Sequence, residues 1–124
     1  IPRNNTIGIT VDSRTLMASL DRVSLIISEK LKSPLRCVFG DEELSITTKT
    51  AIGDAADQCP IEGSGGGLEI GFNNKYLMDA VKNAPADKLR MEFTTGVAPC
   101  VILPAEGEEK FVYMVLPVRL KAGT

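Results

Sequence analysis

The sequence predicts an α+β fold built from a duplicated β-α-β-β-β unit, with two helices packed on one face of antiparallel sheet. Two observations lead there. The first is an internal repeat: IGITVDSRTLMASL from Ile7 and LEIGFNNKYLMDAV from Leu68 align at an offset of 61 residues. At that offset Ile9 meets Ile70, Val11 meets Phe72, Asp12 meets Asn73, Arg14 meets Lys75, Leu16 meets Leu77 and Met17 meets Met78. The second is a change of period inside each copy. Alternating apolar residues (Ile7, Ile9, Val11; Leu68, Ile70, Phe72) read as a half-buried strand, and the spacing then switches to the helical one.

Asp12 or Ser13, and Asn73 or Asn74, carry the side-chain oxygens that cap a helix N-terminus. In the first helix Leu16, Leu20, Val23 and Ile27 form one stripe. In the second, Leu77, Ala80 and Val81 form a shorter one that stops near Ala84-Pro85, because proline cannot continue a helix. Three strand-like segments follow in each half. The first half has LRCVF from Leu35, a turn at Gly40 to Glu43, LSITTKT from Leu44, and a weaker segment from Ala51 to Ile61. The second half has KLRMEFTT from Lys88, PCVILPA from Pro99 and KFVYMVLPVRL from Lys110. The 124 residues thus read as a single domain, 1–124, with halves at about 6–62 and 67–120. GSGGG, residues 63–67, reads as a flexible connector between them. A phosphate-cradling loop would instead need a helix directly after it, and here a strand follows.

Composition narrows the chemistry. There is no histidine, which removes the commonest general base and metal ligand. The cysteines Cys37, Cys59 and Cys100 form no CxxC pair, so buried structural thiols are expected rather than a disulfide framework or a zinc site. The acidic groups Asp41-Glu42-Glu43 and Asp54/Asp57 fit a turn and a loop. No catalytic residue, metal or cofactor is expected. No apolar run approaches a membrane span, and IPRNNT lacks the order of a signal peptide, so a soluble, cytoplasmic protein is expected.

Net charge is −2, so any affinity for nucleic acid must come from where the charges sit. With the apolar stripes inward, Arg14 and Arg22 on the first helix, and Lys75 and Lys82 on the second, share the outer surface. Asp21 and Asp79 dilute them. Such a face is usual for a solvated helix pair. Functionally, it suits weak, sequence-independent contact with phosphates.

GFNNKYLMDAV (Gly71 to Val81) and YMVLPVRL (Tyr113 to Leu120), with LIISEK (Leu25 to Lys30) and PCVILP (Pro99 to Pro104), resemble the third domain of the bacterial sliding clamp, the DNA polymerase III beta subunit. The likeness runs from Ile1-Pro2 to Leu120. It implies a ring of two head-to-tail subunits, each made of three such domains, with helices lining the hole around duplex DNA. It implies a non-catalytic processivity subunit of a polymerase (nucleotidyltransferase) holoenzyme.

The resemblance further implies a hydrophobic pocket for short motifs of the polymerase III alpha subunit, the clamp loader, repair polymerases and mismatch-repair proteins. Its matching positions are Leu31, Asn73, Tyr76, Val97, Pro99, Met114, Val115, Leu116, Pro117, Val118, Arg119 and Leu120. Leu31 stands where the family often has an aromatic residue, and Pro99 where a small polar one is common. Ile26 and Ile27 match an apolar pair at the subunit interface of the homodimeric ring; the helical wheel turns Ile27 to the core and Ile26 off the stripe. The alternative to a clamp is a free-standing peptide-binding module unrelated to replication.

Overall fold

A computed structural model describes residues 7–26, 34–50, 53–84, 86–94, 98–105 and 113–118. The order is β1 (Ile7–Asp12), α1 (Ser13–Ser24), β2 (Leu35–Thr50), β3 (Gly53–Phe72), α2 (Asn74–Asn83), β4 (Lys88–Phe93), β5 (Cys100–Pro104) and β6 (Tyr113–Val115). The strands form one antiparallel sheet in the order β2-β3-β1-β4-β5-β6. An antiparallel bridge between Gly71 and Val118 joins the chain just past β6 back to β3, so the sheet curls toward closure.

Both helices follow strands that end in the same way. Asp12 and Asn73 have nearly identical extended backbones, φ −72°, ψ 124° and φ −74°, ψ 123°. They differ in side-chain use. Asn73 accepts a hydrogen bond from the Tyr76 N–H at 3.2 Å, whereas Asp12 accepts from the Thr15 hydroxyl at 3.2 Å and makes no side-chain bond to the helix backbone. Leu16, Leu20 and Val23 of α1 and Leu77 and Val81 of α2 are buried as their spacing requires. They pack with Ile9, Phe39, Leu44, Ile46, Ile70, Phe72, Leu89 and Phe93 in one core. The helices touch each other, and the Ser24 hydroxyl reaches the Met78 sulfur at 3.5 Å. Helix α1 ends at Ser24, and Ile27, expected on its stripe, lies outside the described residues.

The strands depart from the sequence expectation in number. The expected turn at Gly40 to Glu43 lies inside β2, and the expected connector at 63–67 lies inside β3. Buried residues of β2 alternate as Leu35, Cys37, Phe39 and then as Leu44, Ile46, Thr48, a change of parity that a regular strand cannot make. The irregularity falls between Phe39 and Glu43, with Glu42 at φ 60°. From the pair Phe39–Leu68 to the pair Leu44–Cys59, β2 advances five residues and β3 nine. The extra length of β3 is absorbed by its glycine run, where Gly63, Gly66 and Gly67 have positive φ. The two breaks face one another, so the ladder resumes on both sides and the hairpin persists.

Gly65 has a separate reason to lack a side chain. A Cβ there would sit 2.3 Å from the Phe39 Cβ and 2.6 Å from the Phe39 carbonyl oxygen, atoms that cannot swing aside. Gly65→Ala is therefore expected to lower unfolding stability by about 1–3 kcal/mol, the usual range for overpacking. Urea denaturation would measure this, and an unchanged midpoint would show that β3 can shift away from β2 without penalty.

All three cysteines are free and buried. Desolvation pushes the Cys37 thiol far up, with further contributions from Cys100 and Cys59; it also raises Cys59 to about 11 and Cys100 to about 12. A buried, protonated thiol is an inert core residue rather than a nucleophile.

Candidate functional site

Two anchors place the segment 113–118 beside α2. At one end the Tyr113 hydroxyl donates to the carbonyl of Asn83, the last residue of α2, at 3.1 Å. At the other the Val118 N–H donates to the Gly71 carbonyl at 2.7 Å, just before α2 begins. Ten helical residues span about 15 Å and five extended steps about 17 Å, so the segment runs the length of α2 in the opposite direction. Its Leu116–Val118 end consequently lies by the first turn of the helix, where Tyr76 sits.

Tyr76 is 68% exposed, Met114 59% and Leu116 70%, among the few large apolar side chains that face solvent. Pro117 and Val118 are half-buried. Val115 is 4% exposed and belongs to the core, paired with Cys100. The sequence expectation placed this residue in the pocket; strand alternation turns its side chain to the core. Extending the β5–β6 register by one residue sets Pro99 across from Leu116. Asn73, expected to contact a ligand, has its side-chain oxygen engaged in capping α2, which fixes the backbone that carries Tyr76. Leu31, Val97, Arg119 and Leu120 lie outside the described residues.

The second candidate surface is the outer face of the helices. Arg14, Arg22, Lys75 and Lys82 are all exposed, with Asp21 and Asp79 among them. Arg22 is engaged in an ion pair. Its Nε and a terminal nitrogen reach Asp57 Oδ2 at 2.9 Å and 2.7 Å, and the side chain also meets the Ser19 hydroxyl at 3.3 Å. Desolvation raises the Asp57 carboxyl, but hydrogen bonds from Arg22, Ser19 and the Gln58 backbone, with the charge of Arg22, outweigh it and hold it below its ordinary value. Asp57 lies 35 residues from Arg22, so helical spacing could not reveal it. The third surface is the end of α1, where Leu25 is 84% exposed and Ile26 half-buried.

Among the described residues no group of three or more His, Cys, Asp or Glu side chains could hold a metal ion, and no helix is long and apolar enough to cross a membrane.

Residues 1–119 match the family model of the DNA polymerase III beta subunit, C-terminal domain. The chain is 29% identical over 120 residues to the beta sliding clamp of Staphylococcus aureus (strain Mu50 / ATCC 700699), covering 95% of this chain and 32% of that protein. It is 32% identical over 127 residues to the beta sliding clamp of Synechocystis sp. (strain ATCC 27184 / PCC 6803 / Kazusa), covering 97% and 31%. The crystal structure of the DNA polymerase III beta subunit of Thermotoga maritima superposes with a TM-score of 0.84 at 27% identity, over 94% of this chain and 31% of that one. The chain thus spans about a third of the length of these relatives. With a curled antiparallel sheet, two packed helices and a family match over nearly its whole length, the chain belongs to the DNA polymerase III beta subunit family, as a C-terminal sliding-clamp domain.

Proposed function

We propose that this domain serves in a ring-shaped processivity factor that encircles duplex DNA and tethers the replicative polymerase, and that the α2–β6 groove receives the apolar side chains of partner peptides. The observation that carries the reading is the exposed cluster of Tyr76, Met114 and Leu116, mounted on backbone that is hydrogen-bonded at both ends. An apolar surface held in place this way is suited to burying one leucine or phenylalanine of a ligand. Polymerase III alpha subunit, clamp loader, repair polymerases and mismatch-repair proteins are the proposed partners, each through a short hydrophobic motif.

Contact with DNA is assigned to Arg14, Lys75 and Lys82, with Arg22 contributing less because Asp57 offsets its charge. At a net charge of −2 such a face gives little affinity by itself, so enclosure rather than attraction retains the duplex. Leu25 and Ile26 are assigned to the contact that closes a head-to-tail homodimer, where exposed apolar side chains gain by burial. The role is non-catalytic.

The groove is tested by Tyr76→Ala in the full-length clamp. Burial of one large apolar side chain is worth roughly 1.5–3 kcal/mol, about one to two decades of affinity. The substitution is expected to weaken binding of a polymerase C-terminal peptide at least about tenfold while ring assembly, followed by sedimentation, is unchanged. Equal affinity in a folded variant would remove Tyr76 from the binding surface and with it this assignment of the groove.

A further inference from the structure

We propose that Tyr113 is a positioning residue for peptide binding: its hydroxyl, bonded to the end of α2, holds the 113–118 segment at a fixed distance from the helix and so sets the groove that Tyr76, Met114 and Leu116 share. The proposal rests on the groove reading above and adds the residue that shapes it. Tyr113 is half-buried at the start of the described part of β6. Its ring packs against the core, and its hydroxyl donates to the Asn83 carbonyl at 3.1 Å.

That carbonyl needs a partner. The last four carbonyls of a helix have no acceptor role left inside it, and Asn83 closes α2. A side chain from β6 meets this one, so the bond ties a helix end to a strand rather than merely capping the helix. Strand β6 is paired to β5 at Cys100–Val115, Val101–Met114 and Ile102–Tyr113. Beyond Val115 the described backbone is joined to the sheet by the bridge to Gly71. Met114 is held to β5 through its pairing with Val101, whereas Leu116 lies past the ladder, between Val115 and the Val118 bridge. Release of one tie lets the segment sample wider and narrower separations from Tyr76. A peptide then binds only the fraction of molecules in the competent arrangement, and apparent affinity falls by that fraction.

Tyr113→Phe removes the hydroxyl and keeps the ring. In the full-length clamp it is expected to weaken a synthetic peptide ending in Leu-Phe by about three- to tenfold, the scale of one net hydrogen bond. Amide exchange at Val118 should accelerate, while exchange at Ile9 and Leu20 in the core stays as in the parent protein. Tyr76→Ala, measured beside it, separates the two ideas. If Tyr76→Ala weakens binding and Tyr113→Phe changes neither affinity nor Val118 exchange, the groove stands and the positioning role is overturned. If Tyr113→Phe accelerates exchange throughout the core, Tyr113 serves general stability and the positioning role is likewise overturned. If Tyr76→Ala leaves affinity unchanged, the groove reading falls and this proposal falls with it.

Discussion

Replacing Phe39 with alanine is expected to lower unfolding stability by about 3–5 kcal/mol, the range for truncating a buried aromatic side chain. Phe39 is fully buried, although it lies on β2, the end strand of the sheet. Its ring meets that of Phe93 at a centroid separation of 4.5 Å and an interplanar angle of 42°, joining β2 to β4 across the curled sheet. Its backbone backs directly onto Gly65, at the point where the β2–β3 ladder changes register. The cavity left by truncation cannot be filled from that side, because Gly65 has no side chain to move into it. Small domains have only about 5–15 kcal/mol of stability, so the loss is a large fraction of the whole. Phe39→Leu keeps most of the volume and should cost clearly less. Urea denaturation of the three proteins measures the order, and a loss below about 1 kcal/mol for the alanine variant would mean that the core collapses around the gap.

Stability is also expected to fall steeply above pH 9, because the unfolded chain loses thiol protons that the folded chain keeps. The ordinary thiol value is 9.0, and burial raises Cys59 to about 11, Cys100 to about 12 and Cys37 beyond them. A folded value above the unfolded one makes the contribution complete below pH 9 and progressively lost as pH rises toward the folded values. Each thiol adds a slope approaching about 1.4 kcal/mol per pH unit within that window. Other groups titrate there too, so the comparison must be with Cys37→Ala. Denaturation series from pH 8 to pH 10.5 should show the variant losing stability more slowly, by about 1.4 kcal/mol per pH unit at the upper end. Parallel curves would show that Cys37 ionises in the folded protein as readily as in the unfolded chain.

The candidate site was legible unevenly, for reasons that differ by residue. The family likeness assigns Tyr76, Met114, Leu116 and Pro99 to one groove; in the structure Tyr76, Met114 and Leu116 are exposed and Pro99 is half-buried. It carried Val115 along as a neighbour in sequence, although alternation turns that side chain to the core. Tyr113 was passed over because a tyrosine before an apolar run looks like strand packing. Only the position of Asn83, 30 residues away, gives its hydroxyl a role. Arg22 was assigned to the open helix face by the wheel, which is correct for the direction of the side chain. Its pairing with Asp57 depends on how β3 passes α1, and no local pattern encodes that.

What the sequence by itself determined was the set of local choices: two amphipathic helices, their N-termini to within one residue (Asp12 or Ser13, Asn73 or Asn74), the alternating strands, and the inward set Leu16, Leu20, Val23, Leu77 and Val81. Each follows from interactions among residues a few positions apart, where period and capping chemistry are sufficient. What only the tertiary structure decided was continuity. The parity change at Gly40 to Glu43 and the glycines at 63–67 both read as breaks in the chain, and each would be one in an isolated strand. In the folded domain the two irregular stretches lie opposite one another, and β2 and β3 remain paired on either side of them. The backbone groups that each break leaves unpaired are few beside the ladder it preserves, so two expected turns became two bulged strands.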